Sequence, residues 1–240
     1  MEKKSISVCI ATYNGELYIE EQLKSILKQL NENDEVIISD DGSTDRTIEI
    51  LKSFDDPRIK LHHSSFQNVI LNFENALQKA TGEIIFLSDQ DDIWFKNKVV
   101  ESLKVLEKND LVFSNLSVFS NEVAENYNMY DLNKNCNGFV RNFIKNNCVG
   151  ATMAFKSKVL KYAIPFPKHI EMHDMWLFFI TSFYGKTFYY KKPLIYYRRH
   201  GLNVSNTGEK TTNSIIKIIK IRIRMLVAIL KRIVKMTFYS

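Results

Sequence analysis

Over the first hundred positions, apolar residues switch repeatedly between short unbroken runs and a helical period. Residues 6–11, Ile-Ser-Val-Cys-Ile-Ala, read as a strand buried on both faces. Asn14 is placed to cap a helix in which Leu23, Ile26, Leu27 and Leu30 recur on one face. Val36, Ile37 and Ile38 form a second strand. A turn at Asp41-Gly42-Ser43 follows, then a helix capped near Thr44 or Asp45 with Ile48, Leu51 and Phe54 inward. Ile59, Lys60 and Leu61 make a third strand. The helix over Val69–Lys79 turns Phe73, Ala76 and Leu77 to one side and stops at Thr81-Gly82. Residues 84–87, Ile-Ile-Phe-Leu, are a fourth strand that runs straight into Ser88-Asp89-Gln90-Asp91-Asp92. This alternation predicts an α/β fold: a mostly parallel sheet, helices on both faces and right-handed crossovers.

Beyond residue 110 the pattern changes. Residues 111–119 read as a strand, 121–137 as a polar irregular loop over the site, and 151–155 as another strand. His173–Tyr184 is expected to be an amphipathic helix and Thr187–Arg198 one or two aromatic-rich strands. No linker or repeat interrupts the chain. The expected division is a catalytic domain over 1–209, with a nucleotide-binding half (1–109) and an acceptor-binding half (110–209), and a tail over 210–240.

Ligands of such sheets bind beyond the carboxyl ends of the strands. Thr12-Tyr13-Asn14, Asp40-Asp41 and residues 89–92 all fall on that edge. Asp89 and Asp91, spaced i and i+2 past a buried strand, can aim at one hard cation that neutralises a diphosphate. The same pattern also occurs as a plain turn or helix cap, a role open to Asp92 before the helix of Val99, Leu103 and Leu106. A carboxylate at a strand end, as in Asp40-Asp41, can accept a hydrogen bond from the N3–H of uracil or thymine. A turn followed by a cap is the other reading; Asp45 suits the cap and Asp41 the base.

Ala11-Thr12-Tyr13-Asn14-Gly15, Asp40-Asp41-Gly42-Ser43-Thr44-Asp45, and Thr81-Gly82-Glu83 leading to Asp89-Gln90-Asp91-Asp92-Ile93-Trp94 together resemble the inverting family 2 glycosyltransferases, which have the glycosyltransferase A fold. The form Ser88-Asp89-Gln90-Asp91-Asp92-Ile93-Trp94 is similar to that of rhamnosyltransferases that build bacterial surface polysaccharides. The resemblance implies that Tyr13 and Asp41 contact the nucleotide base, with Ala11 and Thr12 in its pocket. It implies that Asp89 and Asp91 hold Mg or Mn, Asp91 being the direct ligand, and that His200 reaches the metal. Asp174 matches the acceptor-side acid that acts as the catalytic base; capping of its own helix is the other role open to it. His173 stands where many relatives carry a second acid, which makes it, with Trp176, an acceptor-side residue. Gly150 falls in a small-residue loop beneath the donor sugar. The Gln-x-x-Arg-Trp sequence of processive synthases is absent, which implies one transfer per binding event.

Charge sharpens the picture. The chain has 240 residues and a formal net charge of +6. Eight basic and no acidic residues lie from Lys210 onward, so residues 1–209 carry −2. A nucleic-acid-binding face is therefore not expected. Lys217, Lys220, Arg224, Lys231 and Lys235 fall on one stripe of a helix otherwise rich in Ile, Leu, Val and Met, with Arg222 off the stripe. Residues 215–235 are thus expected to lie on an anionic membrane surface, or to pack on protein. No apolar run approaches the ~18 residues that span a bilayer. Three cysteines share no metal or redox spacing. A cytoplasmic location, peripheral at the inner face of the cell membrane, follows as the expectation. The expected partners are a dTDP- or UDP-sugar donor, with dTDP-rhamnose a candidate, and a lipid-linked saccharide acceptor. A sugar nucleotidyltransferase would want a basic Gly-rich loop after the first strand, which Thr12-Tyr13-Asn14-Gly15-Glu16 lacks. A non-catalytic scaffold of a membrane assembly fits poorly with intact Asp89, Asp91 and Asp174.

Overall fold

The computed structural model of the chain describes residues 4–120, 123–131, 134–200 and 214–238. The first half runs β1 (Ile6–Thr12), α1 (Ile19–Leu27), β2 (Glu35–Asp40), α2 (Thr47–Ser53), β3 (Ile59–His63), α3 (Val69–Lys79), β4 (Ile84–Ser88), β5 (Ile93–Trp94) and α4 (Lys98–Leu106). The second half adds β6 (Leu111–Ser120), β7 (Val123–Asn128), α5 (Phe139–Ile144), β8 (Met153–Lys156), α6 (Leu160–Ala163), α7 (His173–Tyr184), β9 (Thr187–Arg198) and α8 (Ile215–Phe238).

The strands form one sheet in the order β3-β2-β1-β4-β8-β6-β9-β5, with β7 also paired to β6. The first four are parallel, as the alternation predicts. β8 then enters antiparallel to β4, and β6 and β9 run parallel to one another. Successive residues of the central strands feed opposite cores. Val8, Ile10, Val36, Ile38, Ile84 and Phe86 pack under α1 and α4, whereas Cys9, Ile37, Ile85 and Leu87 pack against α3 and α7. With both faces covered, the strands read as unbroken apolar runs because neither side meets water.

Local differences from expectation have identifiable causes. Asn14 does not cap α1: its Oδ1 accepts from Thr44 N at 2.8 Å, and the Gly15 carbonyl takes the first amides of the helix, from Tyr18 and Ile19. Asn68, not singled out from sequence, caps α3 by accepting from the amides of Ile70 and Leu71. Part of the expected loop over 121–137 is strand β7, and Asn115 ties the following turn to β6 through both main-chain groups of Tyr130. α7 has the expected bounds but no polar face over its first nine residues, His173 to Thr181 being buried without exception. The reason is that α5, α6 and α8 cover the sides of α7 that a helix on a sheet would turn to water.

α8 is not a free tail. Met225, Ile229 and Arg232 are buried, and the first two join the core of α7. Arg232 lies 5.4 Å above the Trp176 ring and donates to the carbonyls of Tyr162, Ile164 and Pro165, which follow from the end of α6. Arg222 sits 5.8 Å over Phe143. Stepping about 100° per residue, the helix has three sectors. One, containing Arg222 and Arg232, faces the protein. A second, with Ile216, Ile219, Ile223, Leu226, Leu230 and Val234, is apolar and exposed. The third carries Lys217, Lys220, Arg224, Lys231 and Lys235, also exposed. Arg222 leaves the basic stripe because it belongs to the protein-facing sector. Among the described residues no helix is long and apolar enough to cross a membrane.

Candidate active site

The carboxyl ends of β1, β2 and β4 carry the three polar clusters expected there. At the end of β1, Thr12 is buried and Tyr13 is 56% exposed, while Ala11 packs partly against the core. Asp40 is consumed by its turn: it accepts from the amides of Gly42 and Ser43 and from Thr12 Oγ1 at 2.9 Å. Asp41 is also buried and accepts from the amides of Phe66 and Asn68, which fixes the segment entering α3. Its Oδ1 also accepts from Ser64 Oγ at 3.4 Å, and its Oδ2 keeps lone-pair capacity for a further donor. Asp45 accepts from Thr47 N at the start of α2, the capping role assigned to it.

After β4, the carboxylates of Asp89, Asp91 and Asp92 bring one oxygen each within 4.8 Å of the others. Asp92 was expected to cap the next helix. Instead α4 begins at Lys98, and the short pair between β5 and β9 draws Asp92 inward, where its Oδ1 accepts from Arg198 N at 3.1 Å. Its Oδ2 is buried with no hydrogen-bond partner among the described residues. His200 Nε2 lies 2.8 Å from Asp91 Oδ2, and the imidazole stacks on Tyr18 at 4.7 Å. Residues 201–205, which follow His200 in the sequence, lie outside the described residues. Clustered hard oxygens, a nearby imidazole and one orphaned buried oxygen are a donor set that fits a divalent cation.

Electrostatics bear this out. Burial, followed by the charges of Asp91 and Asp174, lifts the Asp89 carboxyl to about 7. Burial and the charges of Asp91 and Asp89 hold Asp92 well above the usual carboxylate range. Lys98, which the sequence did not flag, is completely buried; its Nζ donates to the Ala151 carbonyl at 2.5 Å and lies 4.4 Å from the Trp94 ring centre. Burial brings its ammonium down to about 7, opposed by Asp92 and Asp89. Arg198, at the end of β9, donates through Nε to the Asp91 carbonyl at 3.0 Å and pairs with Glu21.

Asp174 opens α7 and is buried; its Oδ2 accepts from Gly150 N at 3.1 Å and its Oδ1 from Met175 N. Burial raises its carboxyl to about 6 against those two amides. A Cβ on Gly150 would come within 2.9 Å of His173 Nε2, so the close approach this glycine permits is to the start of α7. The two other residues expected on the acceptor side lie in the core. His173 stacks on Phe73 at 4.1 Å with neither ring nitrogen bonded among the described residues, and burial drops it to about 3, leaving it neutral. Trp176 is fully buried, and its indole N–H is committed to the Ala163 carbonyl at 2.8 Å. The sheet and α8 close around them from both sides, which a one-sided amphipathic reading of α7 did not foresee.

Residues 7–185 match the family model described as glycosyl transferase family 2. The chain belongs to that family. Among relatives of this family 2 member, the dTDP-rhamnosyl transferase RfbG of Shigella flexneri is 31% identical over 230 residues, covering 82% of this chain and 75% of that protein. The UDP-Glc:alpha-D-GlcNAc-diphosphoundecaprenol beta-1,3-glucosyltransferase WfgD of Escherichia coli is 29% identical over 186 residues, 74% and 70% of the two chains. Among solved structures, S. aureus TarS 1–349 in complex with UDP-GlcNAc superimposes with a TM-score of 0.71 at 20% identity, covering 94% of this chain and 66% of that one. The mannosyltransferase PcManGT of Pyrobaculum calidifontis, in complex with GDP-Man and Mn2+, gives 0.61 at 19% identity, covering 98% and 65%. These likenesses establish the glycosyltransferase A fold for the family 2 chain.

The raised carboxyls give a stability test. A buried acid with an elevated folded value binds more protons folded than unfolded, so its ionisation weakens the fold as pH rises through that interval. Asp92→Asn keeps the acceptor for Arg198 N and removes a charge from the cluster. Without added metal it should raise the melting temperature at pH 8, and the gain should shrink as pH falls toward 5. Thermal melts across that range check this; a lower melting temperature at pH 8 would contradict the electrostatic reading.

Proposed function

We propose that the protein is an inverting, metal-dependent glycosyltransferase that moves a sugar from a dTDP- or UDP-sugar, with dTDP-rhamnose a candidate, to a saccharide acceptor of cell-surface polysaccharide. The observation that carries this is the gathering of the Asp89, Asp91 and Asp92 carboxylates at the end of β4, with His200 Nε2 2.8 Å from Asp91 Oδ2. Asp89, Asp91 and His200 would hold Mg or Mn, with Asp92 behind them. Bound there, the cation supplies positive charge to the departing nucleoside diphosphate. Tyr13 and Asp41, with Ala11 and Thr12, form the base side of the donor site, and Gly150 lies by the sugar.

Asp174 takes the proton of the acceptor hydroxyl as that oxygen attacks the anomeric carbon opposite the phosphate. A carboxyl near 6 suits a general base, since it is ionised at neutral pH and more basic than a solvated one. Its two amide donors, Gly150 N and Met175 N, fix its orientation and leave each oxygen capacity for one more hydrogen. Burial excludes water that would compete for that position. His173 and Trp176 support this helix start from the core instead of touching the acceptor.

The acceptor is lipid-linked, and α8 rests on the cytoplasmic face of the membrane. The name of the E. coli relative, which includes a diphosphoundecaprenol acceptor, supports the first point for this chain. The exposed apolar sector beside the five-residue basic stripe supports the second. The alternatives of a sugar nucleotidyltransferase or a silent scaffold gain nothing from this arrangement.

Asp174→Asn should bind nucleotide and Mn as the parent does and lower transfer by about 10²-fold or more, measured with a saccharide acceptor and each donor in turn. In the parent, the transfer rate should fall as pH drops through about 6, because the base form of Asp174 is lost. Unimpaired transfer by the variant would remove Asp174 from the base role. Separately, the protein should sediment with vesicles containing anionic phosphatidylglycerol and be released by Ile223→Asp/Leu230→Asp, which touches neither the site nor the protein-facing sector. Equal sedimentation of parent and variant would count against the membrane face.

A further inference from the structure

Gln90 is the middle residue of Asp89-Gln90-Asp91 and contributes no carboxylate. It stands in a loop with access to solvent, where a glutamine needs no protein partner. Its amide nevertheless takes both main-chain groups of one residue on another loop. Tyr13 N donates to Gln90 Oε1 at 3.0 Å, and Gln90 Nε2 donates to the Tyr13 carbonyl at 3.0 Å. Only one orientation of the amide satisfies both, since turning it over would set N–H against N–H and oxygen against oxygen. Tyr13 has just left β1 and has no strand neighbour for these groups, so the side chain of Gln90 stands in for one.

Gly15 fits this contact. A Cβ there would lie 2.5 Å from Gln90 Oε1 and 2.8 Å from its Cδ, and Gly15 has no positive φ that would otherwise call for glycine. The space a side chain would fill at position 15 is occupied by the Gln90 amide. On its other side the same loop is fixed to the turn after β2: Asn14, at φ 47°, donates from N to Ser43 Oγ at 2.9 Å and accepts from Thr44 N at 2.8 Å. Tyr13 thus keeps its ring 56% exposed while its backbone is held from both sides.

We propose that Gln90 is a positioning residue that clamps the Tyr13 loop to the metal-motif loop, so that the base side and the diphosphate side of the donor site are assembled together. The inference rests on the donor-site reading given under the proposed function. Asparagine is one methylene too short to reach both groups of Tyr13. Glutamate would set an acceptor against the Tyr13 carbonyl.

The test is calorimetric binding of UDP and dTDP at saturating Mn, and of Mn alone, to the full chain and to Gln90→Ala, Gln90→Glu, Gly15→Ala and the Gly15→Ala/Gln90→Ala double variant. Each single change should weaken nucleotide binding by about tenfold, the size of an ordinary coupling between sites, while affinity for Mn alone changes less than about twofold by the same criterion. Because Gly15→Ala acts by displacing Gln90, the double variant should bind no more weakly than Gln90→Ala alone. Unchanged nucleotide affinity in Gln90→Ala, fully additive effects in the double variant, or loss of binding to Mn alone would each overturn the clamp. Failure of the parent chain to bind either nucleotide with Mn would instead overturn the donor-site reading itself, and the clamp with it.

Discussion

Mutual repulsion among carboxylates at the end of β4 is the constraint around which the rest of this structure is organised. Asp89, Asp91 and Asp92 lie within one ion's reach of each other, and Asp174 adds its charge from α7. Without counter-charge such a group would take up protons or open out. The fold answers with two basic side chains fixed in place, one of them close to neutral through burial. Lys98 is sealed beneath the cluster, and Arg198 grips the Asp91 carbonyl from the end of β9. These residues come from α4, β9 and α7, so the second half of the chain is required to hold together a motif that belongs to the first. The remaining deficit of positive charge is what makes the site receptive to a hard cation and, through it, to a diphosphate.

The alternation of strands and helices was legible because both faces of β1, β2 and β4 are covered, which leaves an unbroken apolar run of definite length. The bounds of α7 and β9 were legible for a similar reason, being set off by Met172 and Gly185 and by the switch to aromatic alternation. Side-chain direction within those elements was not. Periodicity placed His173 and Trp176 on a helix beside the site, but their burial depends on α8, further along the chain, and on α6 before them. Asp92 looked like a helix cap because local spacing cannot show that β5 pairs with β9 and turns it inward. Lys98 was invisible because a lysine at a helix start is ordinarily a solvated residue; only the sheet above it and the Ala151 carbonyl reveal its burial.

The sequence of the tail admits a surface helix or a packed one. The structure shows one sector of its circumference packed on the body and the others facing outward. Arg222 and Arg232 spend their guanidinium groups on rings and carbonyls of the body, while the Ile-rich sector and the lysine stripe are left outward. Since α8 also closes the core behind Trp176, the outward surface is rigidly connected to the helix that begins with Asp174.

The measurement that tests the central claim most directly is a thermal-shift screen of the purified chain against UDP, dTDP, GDP and CMP, each with and without Mn. A ligand that binds only the folded state raises its apparent stability. The account predicts a rise with UDP or dTDP that requires the metal and is lost in Asp91→Asn. A folded protein that shows no shift with any nucleotide, or the same shift with and without Mn, would contradict it.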